Sequence, residues 1–355
     1  MPSDPHRNTA SHDNPGPEPG PLSTPGRSAS AAYPRIVFMG TPEFAVASLD
    51  AILEAGLNVV AVITPPDKPA GRGMQLTESA VKKYAASRGL PILQPEKLRD
   101  PAFLETLRAL HADLQIVVAF RMLPEIVWNM PPMGTVNLHG SLLPQYRGAA
   151  PINWAVINGE SVTGVTTFRL QHEIDTGNLL LQDRFPISDT DTAGDVHDRS
   201  MGIGARLLVR TIQGLAAGTL HGVPQENPPD LKHAPKIFTE TCRIDWNRST
   251  VDIYNLIRGL SPFPAAFTSL DGKTLKIFRS EKELRRSGSL IPAPSNGTGH
   301  HPSVAVGHYD TDGKTYLRFA TADGWIRITE LQLEGKKKMA IGDFLRGYRF
   351  PAANN

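Results

Sequence analysis

Short apolar runs alternate with amphipathic segments along the first part of the chain. Residues 35–39 (RIVFM) are rich in β-forming side chains, residues 44–55 repeat apolar positions at helical spacing, and residues 58–64 (NVVAVIT) form a second apolar run. A strand, a helix and a strand within about 30 residues are typical of a βαβ unit. This pattern predicts a parallel sheet near the start of the chain.

The same alternation continues and defines one domain. Helical spacing recurs at residues 78–88, 101–111 and 192–217, and strand patterns occur at residues 114–120, 135–139, 163–170 and 178–183. The run LQIVVAF at residues 114–120 is almost continuously apolar, as expected for a strand that is covered on both faces. We therefore predict an open, doubly wound α/β domain over residues 34–225.

The pattern changes in the second part of the chain. Residues 226–236 are polar and rich in proline, which predicts a linker. Alternating patterns beyond it predict short strands at residues 266–270, 274–279, 304–306, 316–319 and 325–333. Because turn signals such as Asp271-Gly272 separate these strands, we predict a small barrel in a second domain over residues 237–355.

Composition narrows the class of protein. The first 33 residues hold seven prolines and no apolar core, so they predict a disordered tail and not a secretory signal. Uninterrupted apolar stretches of about 18 residues, which a membrane span requires, do not occur, and we expect a cytoplasmic protein. The single cysteine, Cys242, excludes an internal disulfide.

Charge is divided unequally between the two predicted domains. Of the 37 basic and 35 acidic side chains, residues 231–355 hold 19 and 12, a net charge of +7. Residues 1–230 hold the other 18 and 23, a net charge of −5. An acidic part beside a basic part predicts one domain for chemistry and one domain that binds a polyanion.

Three polar residues in the first domain indicate acyl chemistry. Asn137 and His139 stand at positions i and i+2 of a predicted strand, so they project to the same face near its end. An imidazole transfers protons near neutral pH, and a carboxamide N–H stabilises an oxyanion. Asp175 is the carboxylate that we expect beside His139, where it would fix the tautomer and stabilise the cation.

The surrounding sequence limits what this set of residues can do. The spacing of a nucleophile elbow is absent, which favours direct transfer of an acyl group to an amine without a covalent enzyme intermediate. The eleven histidines show no metal-ligand spacing, so no metal is expected. Residues 40–45 (GTPEFA) lack two glycines of a dinucleotide-binding motif. Arg72 lies between Gly71 and Gly73, where its guanidinium is suited to a phosphate or sugar edge.

These motifs together resemble those of methionyl-tRNA formyltransferases, a family of folate-dependent enzymes. In the first domain the resemblance is carried by residues 38–45 (FMGTPEFA), 71–73 (GRG), 137–144 (NLHGSLLP), 147–151 (RGAAP) and 175–177 (DTG). In the second domain it is carried by residues 234–237 (APKI), 244–246 (IDW), 257–259 (IRG) and 343–347 (DFLRG). One departure is Phe120-Arg121, where the family usually has an aromatic residue followed by glycine.

The resemblance implies a fold and an activity. The fold would be a Rossmann-like catalytic domain followed by an OB-like barrel. The activity would be transfer of a formyl group from 10-formyltetrahydrofolate to the amine of methionine on initiator tRNA. The resemblance further implies three sets of site residues: catalytic Asn137, His139 and Asp175; a folate-binding loop of Ser141, Leu142, Leu143 and Pro144; and Arg72 against the tRNA acceptor stem. The protein is expected to be a monomer.

The excess of basic side chains predicts that the second domain holds tRNA by charge. The candidate phosphate contacts are Lys336, Lys337, Lys338, Arg279, Arg285 and Arg346. Two other functions stay open at this point. One is a formyltransferase that acts on an amino sugar or on glycinamide ribonucleotide, for which a basic barrel would have no purpose. The other is a non-catalytic protein that binds tRNA or folate, which the complete Asn/His/Asp set argues against.

Overall fold

A seven-stranded sheet organises the first domain. The structure is a computed structural model, and it describes residues 33–70, 75–284 and 305–350. In chain order the elements of this domain are β1 (Ile36–Gly40), α1 (Glu43–Glu54), β2 (Val59–Ile63), β3 (Lys68–Ala70), β4 (Gln75–Thr77), α2 (Ala80–Ser87), β5 (Ile92–Leu93), α3 (Pro101–Ala109), β6 (Leu114–Val118), α4 (Glu125–Trp128), β7 (Thr135–His139), β8 (Arg147–Gly148), α5 (Pro151–Ile157), β9 (Val162–Arg169), β10 (Leu179–Pro186) and α6 (Ala193–Ala216).

The order of the strands confirms the predicted fold class. It runs β10-β9-β7-β6-β1-β2-β5. The pairs from β5 through to β7 are parallel, whereas β9 is antiparallel to both β7 and β10. Strands β1 and β6 are buried along their whole length, as their apolar runs predict.

Helices cover both faces of this sheet. Phe38 of β1 packs in one core with Leu49 of α1 and Leu208 of α6. Its neighbour Val37 points to the other face and packs with Leu107 of α3. Because both faces are closed, the ends of the strands are where loops and polar side chains collect, as in other open α/β sheets.

An antiparallel sheet forms the body of the second domain. After β11 (His233–Ala234), which pairs with β8 of the first domain, the elements are α7 (Thr239–Cys242), α8 (Thr250–Leu260), β12 (Ala266–Leu270), β13 (Lys273–Leu284), β14 (Tyr309–Thr311), β15 (Leu317–Ala320), β16 (Gly324–Leu333), β17 (Met339–Ala340) and α9 (Ile341–Gly347). The order is β12-β13-β16-β15-β14, with β17 beside β16. Register shifts between Ile277 and Ser280 bend β13. Within the described ranges β12 and β14 do not pair, so the sheet is a curled half-barrel.

The structure differs from the predicted elements of this domain in several places, and the short elements α7, β17 and α9 were not predicted. The strand predicted at residues 304–306 is wrong, since Val306 lies in a turn and the strand here is β14; Val304 is outside the described residues. Helix α8 was not predicted. Its buried side chains Ile253, Leu256, Ile257 and Leu260 have helical spacing, and the Ser249 hydroxyl accepts a hydrogen bond from Asp252 N at the first turn.

Some predictions concern residues beyond the described ranges. These are the tail, of which only Tyr33 is described, and the side chains of Arg72 and Arg285. The segment predicted to be a linker is attached to the first domain, because β11 pairs with β8. Among the described residues, no helix combines the length and the apolar character that a membrane crossing needs.

The two domains meet where α8 packs against α5. The Asn153 side-chain amide donates to the carbonyl of Gly259 at 2.8 Å. A Cβ atom at position 259 would lie 2.4 Å from Cγ1 and 2.8 Å from the backbone nitrogen of Ile157. Only glycine therefore permits the observed approach of these helices.

We expect Gly259→Ala to lower the free energy of unfolding by about 1–3 kcal/mol, because the added methyl group would push α8 away from the Ile157 backbone. Urea denaturation followed by circular dichroism measures the change. Gly202→Ala is the matched control, because Gly202 also lies within a helix and a Cβ atom there meets only Arg206 Nη1, at 3.7 Å. Helix propensity predicts that the control gains up to about 1 kcal/mol. Equal destabilisation of the two variants would contradict the packing argument.

Candidate active site

Strand β7 carries Asn137 and His139 close to its carboxyl end. It is held between β6 and β9, which place Asn137 opposite Val117 and Phe168. The Phe168 side chain is fully buried, and its ring meets the His139 ring edge to face at a centroid distance of 6.4 Å. The imidazole is therefore packed against a fixed wall and is only 6% exposed.

A backbone carbonyl sets the protonation of His139 at Nε2. This nitrogen lies 2.8 Å from the carbonyl oxygen of Tyr146. A carbonyl oxygen only accepts hydrogen bonds, so Nε2 carries the hydrogen in both the neutral and the charged ring. The sequence predicted that Asp175 would fix the tautomer; in the structure the Tyr146 carbonyl does so. The nitrogen that is left to exchange a proton is Nδ1.

The fold brings Asp175 to the other side of the imidazole. The distance from its Oδ2 atom to His139 Nδ1 is 3.8 Å, which is longer than a hydrogen bond. The same Oδ2 atom accepts a hydrogen bond from Gly148 N at 2.9 Å. Asp175 has a φ of +56°, in the left-handed region. At Gly177 a Cβ atom would lie 1.7 Å from the Arg169 carbonyl oxygen, so this tight turn requires glycine there.

The carboxamide of Asn137 has no hydrogen-bond partner among the described residues, and the residue is only half-buried. It stands two positions from His139 on the same strand, so both side chains project to one face of the sheet. An unbonded amide beside a bonded imidazole leaves a donor for a group that enters from outside. That is the arrangement that oxyanion stabilisation needs.

The loop predicted to hold folate is built from internal hydrogen bonds. Ser141 is fully buried, and its hydroxyl donates to the Gln145 carbonyl at 2.7 Å. The Thr166 hydroxyl donates to the Ser141 carbonyl at 2.6 Å and accepts from Leu143 N at 3.2 Å. Leu143 is 2% exposed, whereas Leu142 and Pro144 are half-buried. The contacts show how the loop keeps its shape, and folate binding by these four residues stays a prediction.

Arg121, which departs from the family pattern, turns towards the segment after β5. Its guanidinium donates to the carbonyl oxygens of Pro95 at 2.5 Å and Glu96 at 2.9 Å. Burial lowers the pKa of this guanidinium. The Arg121 Nε atom is buried and has no partner among the described residues. Arg121 thus joins the loop after β6 to the loop after β5.

The candidate tRNA contacts differ in how their charges are used. Lys336 and Lys337 are exposed and make no ion pair with a described residue. Lys338 pairs with Glu330 at 2.9 Å and lies 4.7 Å from the centre of the Phe278 ring. Arg279 lies 3.6 Å from Asp195, and Arg346 bonds to Asp343. Among the candidates that the structure describes, Lys336 and Lys337 are therefore the two whose charges are free for another partner.

Sequence reasoning missed two partners in this site. The Tyr146 carbonyl is a backbone group, and side-chain patterns carry no signal for it. Gln225 donates to the carbonyl oxygens of Asp175 and Gly177, both at 2.8 Å, from a segment just before the predicted linker. In the described part of the chain, groups of three or more His, Cys, Asp or Glu side chains arranged to hold a metal are absent.

Comparison with family models matches both domains. A model described as "Formyl transferase" matches residues 34–212, and one described as "Formyl transferase, C-terminal domain" matches residues 236–349. Among solved structures, WlaRD, a sugar 3N-formyl transferase, has a TM-score of 0.59 at 20% identity and covers 86% of this chain and 99% of its own. HypX from Aquifex aeolicus in complex with tetrahydrofolic acid has a TM-score of 0.59 at 18% identity and covers 90% of this chain and 49% of its own. At these identities the likeness shows the fold.

Curated relatives are far closer in sequence. Methionyl-tRNA formyltransferase of Parabacteroides distasonis is 58% identical over 325 residues, which are 89% of this chain and 96% of the relative. The enzyme of the same name from Bacteroides fragilis is 53% identical over 327 residues, which are 90% of this chain and 96% of the relative. With both domain models matched and such relatives covered almost completely, the chain belongs to the methionyl-tRNA formyltransferase family.

Proposed function

We propose that this protein transfers the formyl group of 10-formyltetrahydrofolate to the α-amine of methionine on initiator tRNA. The observation that carries the proposal is the arrangement around His139: Nε2 is held by the Tyr146 carbonyl, Nδ1 faces the Asp175 carboxylate, and the Asn137 amide beside it has no hydrogen bond to a described residue. Enzymes of this family use 10-formyltetrahydrofolate, and relatives more than 50% identical are named for methionyl-tRNA. An amino sugar or glycinamide ribonucleotide is therefore not favoured as the acceptor.

The proposed reaction is a direct acyl transfer. The amine attacks the formyl carbon and forms the new C–N bond, while the bond from that carbon to N10 of the folate breaks. Asn137 and protonated His139, through Nδ1, donate hydrogen bonds to the oxygen on which negative charge develops. Asp175 balances the positive charge of the imidazolium. The proton lost by the attacking amine ends on N10 of the leaving tetrahydrofolate, so that no covalent enzyme intermediate is needed.

The charge distribution supports tRNA as the carrier of the acceptor amine. The +7 charge of residues 231–355 would attract a polyanion, whereas a small acceptor has no need of it. Arg72, at the position that the family resemblance assigns to the acceptor stem, stays part of the proposal, since its structure is not described. We propose further that the protein acts as a monomer in the cytoplasm.

The first test is a formyl-transfer assay with 10-formyltetrahydrofolate and methionyl initiator tRNA, compared with methionyl elongator tRNA and with a free amino sugar. We expect rapid formylation of the initiator only.

We expect His139→Ala and Asp175→Asn each to lower kcat by roughly 100- to 1,000-fold, as for removal of a group that stabilises the transition state. His172→Ala is the matched control, because that side chain is 89% exposed and lies three residues from Asp175. Near-normal turnover by His139→Ala would remove the proposed mechanism, and faster formylation of the sugar would remove the proposed acceptor.

The second test separates the lysines by the salt dependence of tRNA binding. A plot of the logarithm of the tRNA association constant against log [salt] has a negative slope. We expect the double variant Lys336→Ala/Lys337→Ala to reduce the magnitude of this slope by about two, because each phosphate contact contributes about one. Lys338→Ala is the matched control, and we expect little change because Glu330 and the Phe278 ring already occupy that ammonium group. Filter binding between roughly 50 and 200 mM salt covers the useful range. A slope that is unchanged in the double variant would place the tRNA elsewhere.

A further inference from the structure

We propose that Gln225 is a positioning residue that holds Asp175 beside His139. The proposal rests on the proposed function, in which Asp175 serves the imidazole. Gln225 lies 50 positions from Asp175 in the sequence and falls between the ranges matched by the two family models, residues 34–212 and 236–349.

Every hydrogen-bonding position of the Gln225 side chain is occupied. A carboxamide offers two N–H donors and an oxygen with two acceptor positions. The Nε2 group donates to the carbonyl oxygens of Asp175 and Gly177, both at 2.8 Å. The Oε1 atom accepts from Arg147 Nη2 at 2.7 Å and from Arg147 Nε at 3.1 Å. One side chain thus joins the turn that carries Asp175 to the loop that follows His139.

The loop that follows His139 holds the opposite end of Asp175. Gly148, the residue after Arg147, donates its backbone N–H to Asp175 Oδ2 at 2.9 Å. Asp175 is therefore held at its main chain through Gln225 and at its carboxylate by Gly148. Both bonds lead to the same two-residue strand, β8, so the position of the carboxylate is set relative to the loop that also presents the Tyr146 carbonyl to His139.

The other side-chain hydrogen bonds of the turn are internal to it: Gln171 donates to the Thr176 hydroxyl at 3.0 Å, and that hydroxyl donates to the Glu173 carbonyl at 3.1 Å. Residues 171–174 are exposed, and Asp175 takes a positive φ of +56°, which is unfavourable for a residue with a side chain. A turn without buried apolar side chains depends on polar contacts to keep one conformation. The 3.8 Å distance from Asp175 to His139 Nδ1 already exceeds a hydrogen bond, so a further shift of about 1 Å would separate the pair, and misplacements of this size cost up to about 100-fold in rate.

The experiment compares steady-state formyl transfer by three variants of the full-length protein. Gln225→Met keeps the length of the side chain and removes all four bonds. Gln225→Glu keeps an oxygen for Arg147 but places a second oxygen against the Asp175 and Gly177 carbonyls. Asn227→Ala is the matched control, because the side chain of Asn227 bonds, within the described ranges, to Arg147 Nη1 alone, at 2.9 Å. We expect both Gln225 variants to lower kcat by roughly 10- to 100-fold with KM for folate and for tRNA within twofold, and we expect the control to equal the wild type.

A double-mutant cycle separates positioning from a general structural effect. Gln225→Met is combined with Asp175→Ala, and kcat is measured in both backgrounds with thermal midpoints recorded for each protein. If Gln225 acts through Asp175, its substitution changes kcat less than twofold once the carboxylate is gone. The same fold-loss in both backgrounds, or a kcat within twofold of wild type for both Gln225 variants, overturns the proposal while the proposed function stands. Near-normal turnover by Asp175→Ala alone overturns the role of Asp175 in the proposed mechanism and this proposal with it, whereas only the absence of formyl transfer by the wild-type protein overturns the proposed function.

Discussion

The loop between β7 and α5 has to return onto the strand that precedes it, because His139 bonds to a carbonyl seven residues further along the chain. That 2.8 Å contact between Nε2 and the Tyr146 oxygen orients the imidazole so that its other nitrogen, Nδ1, is directed towards Asp175. The loop also supplies Gly148 N, which binds the Asp175 carboxylate. The geometry of the site thus depends on the loop folding back onto β7. The backbone groups of this loop set the positions of both His139 and Asp175.

Several contacts hold this return in place. Tyr146 has a φ of +62°, and its backbone N–H donates to the Lys232 carbonyl at 2.6 Å. The Tyr146 hydroxyl donates to Glu160 at 2.5 Å, and the Lys232 ammonium reaches the same carboxylate oxygen at 2.6 Å. Burial, and then the Glu160 carboxylate, raise the pKa of the Tyr146 phenol, so it stays protonated as a donor across the physiological range. The carbonyl that meets His139 therefore belongs to a residue anchored at both its main chain and its side chain.

The sequence predicted those features that side-chain patterns encode. Apolar runs such as residues 114–118 identified the central strands, because a strand covered on both faces must be apolar throughout. The positions of Asn137 and His139 two residues apart placed them on one face, and the need of an imidazole for a carboxylate partner pointed to Asp175, which the family resemblance also implied. The patterns did not reveal which group fixes the imidazole, since the Tyr146 carbonyl is backbone and every residue has one. Nor did they reveal Gln225, whose amide nitrogen donates to main-chain carbonyls across 48 and 50 positions of sequence.

The segment between the two matched domains, residues 213–235, is attached to the first domain by its contacts. It carries Gln225 at one end, Lys232 in the middle and β11 at the other, and each contacts the loop after β7. The fit with β11 is close, because a Cβ atom at Gly148 would lie 2.4 Å from the Ala234 carbonyl oxygen, while the Trp154 indole donates to the Pro235 carbonyl at 2.8 Å. A catalytic fragment that ends where the first family model ends, at residue 212, would lack all of these contacts. The contacts that hold the loop after β7 therefore continue through β11, beyond residue 225, where composition predicts the first domain to end.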